Sequence, residues 1–138
     1  MKDKVFLDTN ILIYAYSGTE PDKRDIALTI LEEHSIVISI QVLNEFIWIM
    51  NRKYGVSFEK LQILSDIFWR RFDVALLRKS SVDKALSLAN QYKYSYWDSL
   101  IIASALENKC KILYTEDMQD GQIIEGKLKI ENPFKRKF

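Results

Sequence analysis

The chain is poor in the residues that build most zinc sites and covalent nucleophile sites. It has one cysteine, Cys110, and one histidine, His34. A single cysteine excludes an internal disulfide and fits a reducing compartment. One residue of each kind argues against a zinc site. A Ser-His-Asp or Cys-His mechanism would have to use His34, which falls at an expected helix end just before an apolar strand pattern. Long apolar runs are also missing, so no segment is expected to cross a membrane. Met1-Lys2-Asp3-Lys4 leads quickly to Asp8, without the extended apolar region of a signal peptide. These absences together suggest a cytoplasmic protein. The net charge of +1 excludes nothing as a total, and no repeat, linker or low-complexity stretch breaks the chain.

What is present suits a globular α/β fold. The 138 residues are 48% hydrophobic, enough for one domain over 1–138 with a real core. Val5-Phe6-Leu7 reads as a strand buried on both faces, as in a parallel sheet. A helix through Ile11–Tyr16 follows, with Thr9 or Asn10 able to cap it. Pro21 suits the first turn of a second helix, whose apolar side is Ile26, Leu28, Ile30 and Leu31. Ile36–Ile40 is a β-branched strand. The next helix carries the stripe Val42, Phe46, Ile49 and Met50 and stops at Gly55. Ser57 caps a helix with Leu61, Leu64, Ile67 and Phe68. A short strand falls over Phe72–Leu76. Ser80 and Asp83 have capping-box spacing ahead of a helix with Val82, Ala85, Leu86, Ala89 and Tyr92 on one side. Ser95 opens another helix through Leu100–Leu106. Strands follow at Lys111–Thr115 and around Leu128–Ile130. This alternation predicts a three-layer α/β/α fold with a central, mainly parallel sheet.

Four acids occupy similar places in that scheme. Asp8 ends the first strand, and Glu45 lies early in the helix after the second. Asp98 lies in the first turn of a helix, and Asp117 follows the strand ending at Thr115. In a parallel sheet, strand ends and the helix starts that follow them share one edge, where ligands bind. Carboxylates gathered there repel one another unless they share protons or bind a cation. Oxygen ligands alone select hard ions, Mg²⁺ or Mn²⁺. Such a pocket suits phosphoryl or phosphodiester chemistry. Each acid also has a plain structural reading: Asp8 as a turn or cap, Asp98 as the partner of Ser95 in a capping box, and Glu45 as an ordinary helix residue. Asp117 and Asp120 sit in a polar loop, and Thr115 can be simply the end of a strand. The joint pattern is the specific signal.

The set Phe6-Leu7-Asp8-Thr9-Asn10, Asn44-Glu45-Phe46, Trp97-Asp98-Ser99-Leu100-Ile101 and Tyr114-Thr115-Glu116-Asp117-Met118-Gln119-Asp120-Gly121 resembles a PIN domain. It is more narrowly similar to the VapC-type ribonuclease toxins of toxin–antitoxin pairs, in order and over nearly the whole chain. The resemblance implies a Mg²⁺- or Mn²⁺-dependent endoribonuclease, restrained by a cognate antitoxin and often a homodimer. It carries the family's acids over to Asp8, Glu45, Asp98 and Asp117, and its supporting polar residues to Asn10 and Thr115. Asp120 is either a further ligand or a loop residue. On this reading Asp8 and Asp98 hold the main metal, and Glu45 and Asp117 complete the pocket directly or through water.

An RNA substrate would need cations around the acids. Candidates are Arg52-Lys53, Arg70-Arg71, Arg78-Lys79 and Lys135-Arg136-Lys137, although any one pair reads better as solvated surface charge. Tyr94, Tyr96 and Trp97 are candidates for stacking on unpaired bases; Trp97 reads better as a core or dimer-interface aromatic. Trp48 and Trp69 are candidate partner surface. Two alternatives remain. One is a non-catalytic PIN-like RNA-binding or assembly module. The other is a receiver-like phosphoacceptor domain, for which the early acids Asp3 and Asp8 lack the expected pairing.

Overall fold

The computed structural model describes residues 2–135. Arg136 and Lys137 of the basic tail lie outside the described residues. Strands and helices alternate: β1 (Lys4–Leu7), α1 (Thr9–Ser17), α2 (Pro21–Glu33), β2 (Ser35–Ser39), α3 (Ile40–Tyr54), α4 (Phe58–Arg71), β3 (Asp73–Ala75), α5 (Lys79–Tyr92), α6 (Tyr96–Glu107), β4 (Ile112–Tyr114), β5 (Ile123–Ile124) and β6 (Leu128–Glu131). The sheet order is β3-β2-β1-β4-β6-β5, and every pairing is parallel except β5 with β6. From β1 the chain steps outward through β2 to β3, then returns to place β4 on the other side of β1. Right-handed crossovers therefore put α1 to α4 on one face and α5 and α6 on the other, which makes three layers. The predicted fold class holds.

β1 is the most enclosed strand, with Val5, Phe6 and Leu7 fully buried. Phe46 and Phe68 meet edge to face at 5.1 Å, and Tyr16 reaches both, so α1, α3 and α4 share one aromatic core. Gly55 ends α3 with φ +67°, a conformation that costs a glycine little. Ser57 and Ser95 cap α4 and α6 as expected, accepting from the N–H of Lys60 and of Asp98.

Six local readings are corrected. The cap of α1 is Asp8, whose Oδ1 accepts from the Thr9 N–H at 2.7 Å; neither Thr9 nor Asn10 fills that role. The second strand stops at Ser39, which caps α3, so Ile40 is helical. At α5, Ser81 and not Ser80 makes the start: its hydroxyl accepts from the Arg78 N–H. The buried face of α5 is Ser81, Ala85 and Leu88, while Val82 and Leu86 are exposed. Those two lie one position round the helix from the face that packs on α6. On α2 the buried face is Ala27, Ile30 and Leu31, with Ile26 and Leu28 open. Finally, β5 was not anticipated. It forms a hairpin with β6 through Glu125 and Gly126, both at positive φ, closed by the Lys127 N–H on the Ile124 carbonyl. That is type I′ geometry, usually announced by Asn-Gly or Asp-Gly.

Candidate active site

The strand order reverses between β1 and β4, the point at which open α/β sheets form a crevice beyond their carboxyl ends. Asp8 follows β1 and Thr115 follows β4, so both stand in that crevice. The Asp8 N–H is tied to the Tyr114 carbonyl at 3.0 Å, which fixes the backbone there. Helix starts from both faces, and the loop after β4, deliver the rest. A cavity of about 200 Å³ is lined by Asp8, Asn10, Glu45, Asp98 and Asp117, with Gln41 beside them. Ile13, Ile49 and Ile101 complete its walls. Four acids that stand far apart in sequence thus share one cavity.

Each carboxylate is held by a neighbour. Asp8 is 7% exposed; its Oδ2 accepts from the Thr115 hydroxyl at 2.8 Å, and its Oδ1 is the cap of α1. Thr115 Oγ1 in turn accepts from the Asp117 N–H. The Thr9 hydroxyl donates to Glu45 at 2.9 Å, and the Asn10 amide donates to Asp117 at 2.9 Å. Asn10 Oδ1 is buried and has no partner. Among the described residues no basic side chain lines the cavity. Burial, reinforced by Asp98 and Asp117, pushes the Asp8 carboxyl up to about 6 against the pull of its hydrogen bonds from Thr115 and Thr9. Burial and the neighbouring Asp117 also raise Asp98, opposed by Ser95.

The donor set fits a hard divalent ion. It is all oxygen, it carries excess negative charge, and it includes an orphaned amide oxygen. Among the described residues no group of three or more carboxylate, His or Cys side chains is already arranged to hold a metal. Mg²⁺ does not demand one, since it is commonly bound through one or two carboxylates with water filling its remaining positions.

Other candidates fall elsewhere. Asp120 does not line the acid cavity; its Oδ1 accepts from the Asn132 N–H at 2.8 Å, which makes it a loop anchor. His34 lines a different and larger cavity, about 490 Å³, with Glu33 and Tyr114, so it is not placed to serve the acids. Larger volume there does not outweigh chemistry, because the carboxylates converge on the smaller space. Trp97 is no core residue: it is 63% exposed and stands at the mouth of the acid cavity. Trp48 and Trp69 are exposed on α3 and α4. Several proposed RNA cations are engaged locally, Arg52 over Trp48, Arg71 over Phe72 and Lys79 with Asp83.

Sequence reasoning missed two features. Gln41 sits one turn before Glu45 on the face of α3 that meets the cavity, and that spacing was the available signal. The second is a clamp on the loop that carries Asp117. Glu116 accepts from Lys23 at 2.5 Å and from the Tyr14 hydroxyl at 2.6 Å, while Lys23 also lies over the Tyr14 and Phe134 rings. Ninety-three positions separate Lys23 from Glu116, and no local pattern links them.

The PIN domain family model matches residues 5–119, and the chain belongs to that family. This replaces the receiver-like alternative. Similar solved structures include a toxin–antitoxin complex from Klebsiella pneumoniae, at 24% identity and TM-score 0.71, covering 94% of this chain and 97% of that one. Another is VapC20 of Mycobacterium tuberculosis, described as a sarcin–ricin loop cleaving toxin, at 16% identity and TM-score 0.68, covering 82% and 91%. A third is VapBC2 of Rickettsia felis bound to a DNA fragment from its promoter, at 22% identity and TM-score 0.67, covering 94% and 98%. At these identities the likeness is one of fold. No curated protein matches the chain.

Proposed function

We propose that this chain is a divalent-metal-dependent endoribonuclease, a single PIN-like domain over 1–138 and the toxin of a type II toxin–antitoxin pair. The observation that carries the reading is the gathering of Asp8, Asp98 and Asp117 in one cavity at the reversal of strand order, with no basic side chain among its described lining residues. Structural carboxylates are normally paired or solvated; unbalanced ones raise their own proton affinity, which marks functional sites.

Asp8 and Asp98 would hold Mg²⁺ or Mn²⁺, with Glu45 and Asp117 completing the set directly or through water. A bound ion there supplies Lewis acidity toward water and toward a phosphodiester. The chain's own part is preorganisation. Thr115 and the Thr9 N–H fix both oxygens of Asp8, so that the carboxylate need not reorient when charge arrives. Thr9 does the same for Glu45, and Asn10 for Asp117. The expected reaction is in-line hydrolysis of an RNA phosphodiester, leaving a 5′-phosphate and a 3′-hydroxyl. By analogy with the toxin–antitoxin complexes of similar fold, a cognate antitoxin restrains the chain, which works in the cytoplasm as a homodimer. No helix of the described residues is long and apolar enough to cross a membrane.

The test is direct. Purified chain is incubated with single-stranded RNA in Mg²⁺, in Mn²⁺ and in excess chelator, and the new ends are mapped. Metal-dependent cuts with 5′-phosphate ends are expected. Intact RNA in both metals, or cleavage indifferent to chelation, refutes the reading and leaves the non-catalytic module in its place.

A further inference from the structure

A second cavity opens beside the acids. It is about 420 Å³ and shares Gln41, Glu45 and Trp97 with the acid cavity. Its remaining walls are largely apolar, from Ile40, Leu77 and Leu100. The two spaces differ in kind. About 200 Å³ rimmed by carboxylates suits an ion, water and phosphate oxygens, and lies below the size of usual ligand pockets; about 420 Å³ with apolar walls lies within it. Among the described residues no basic side chain lines the larger space, so it is not built for phosphate.

Trp97 forms one wall and is held ready. Its ring packs edge to face on Tyr96 at 5.4 Å, and its backbone carbonyl accepts from Gln41 Nε2 at 3.3 Å. It nonetheless remains 63% exposed, although the adjoining Asp98 is half-buried. Gln41 adds a second pointer. The residue lines both cavities and is 8% exposed, and its Oε1 is buried without a partner. An amide oxygen so placed needs a donor. Asn44, exposed at the rim, offers an amide with both donor and acceptor capacity.

We propose that this second cavity is a nucleobase subsite. It takes the unpaired base next to the scissile phosphate, stacked on Trp97 and hydrogen-bonded along its edge by Gln41 and Asn44. An aromatic face with an apolar wall is the usual platform for a splayed-out base, and amide side chains read its edge. Continuity with the acid cavity fixes which base this is: the one attached to the nucleotide being cut. The proposal rests on the nuclease reading and adds a specificity determinant to it.

The experiment uses the whole chain in Mg²⁺ with single-stranded RNA oligonucleotides that differ only beside the cleaved bond. The nucleotide on each side is replaced in turn by an abasic one. Loss of the base at one of these positions is expected to lower kcat/KM by about 10- to 100-fold, the usual worth of one stacked base. Trp97→Ala should bring a loss of similar size on intact RNA and respond little to the abasic change, while Trp97→Phe retains most of the activity. Independently, a short single-stranded oligonucleotide in chelator should quench tryptophan fluorescence in the wild type and not in Trp97→Phe.

Cleavage that ignores the flanking base overturns the subsite and leaves the nuclease standing. So does a Trp97→Ala variant that cuts normally and differs only in oligomeric state or antitoxin binding, which would make this a protein-binding face. If no RNA is cut in any metal the nuclease reading itself fails, and the quenching experiment still decides whether a base binds at Trp97.

Discussion

Two groups of carboxylates stand side by side in this protein and are treated in opposite ways. Asp117 faces a cavity with Asp8 and Asp98, lined by no basic side chain among the described residues. The residue before it, Glu116, turns the other way, to Lys23 and Tyr14. Burial works to raise the Glu116 carboxyl, but the bonds from Lys23 and Tyr14 outweigh it and hold the group below its usual range. Glu116 in turn raises Lys23. Asp8 is left at about 6. One group is electrically complete and fastens a loop; the other is incomplete and asks for something from outside. Acids placed by folding alone look like Glu116, which is why the unbalanced group reads as a site.

The largest test of the contrast is Asp8→Asn. If Asp8 is a ligand, RNA cleavage should fall by more than about 100-fold, beyond the loss typical of a merely supporting residue. The same change should stabilise the metal-free protein at pH 7. A carboxyl whose folded value is raised, here from 3.8 to about 6, loses stability as pH climbs through that window, because the unfolded chain releases its proton first. The predicted loss is on the order of 3 kcal/mol between about pH 4 and pH 6. Urea unfolding in chelator should show that loss in the wild type and not in Asp8→Asn, and added Mg²⁺ should diminish it. A pH-independent wild type would mean that Asp8 is solvated and balanced after all.

Thr115→Val is the next step down. It removes the donor to Asp8 and the acceptor of the Asp117 N–H while keeping the side-chain shape. Cleavage or Mg²⁺ affinity should drop by about 10- to 100-fold, readable as a rise in the Mg²⁺ concentration needed for half-maximal activity. Smallest is Glu116→Gln in the balanced group. Lys23 and Glu116 are each about a third exposed or less, so solvent screens their pair, and the change should cost about 1 kcal/mol or less of stability. Cleavage should fall only a few-fold. A Glu116→Gln enzyme as weak as Asp8→Asn would erase the distinction between the groups.

How far the chain could be read in advance follows the range of the signal. β1, α3 and α6 were visible through local signals: the apolar run into Asp8, the stripe that ends at Gly55, and the Ser95 cap. The acid positions were visible because strand ends and helix starts share an edge in any parallel sheet. β5 was hidden because two isoleucines make no period, and its turn uses Glu125 where Asn or Asp would announce it. The buried face of α5 was misjudged because Val82 and Leu86 outweigh Ser81 on any hydrophobicity count, although Ser81 is the residue that packs inward and bonds Glu107. Lys23–Glu116 and the wall formed by Gln41 and Trp97 exist only once distant elements meet.

The position of β4 carries a consequence for how such a protein comes into being. β1 is made first, yet one of its two neighbours, β4, begins only at Ile112, and Asp117 comes later still. Contacts so distant in sequence form late, after the loop-closure entropy of most of the chain has been overcome. On a ribosome, which delivers the amino end first, the nascent polypeptide would carry Asp8 long before it has anything to work with. If the chain is the ribonuclease proposed above, its acid site stays incomplete until synthesis has passed Asp117.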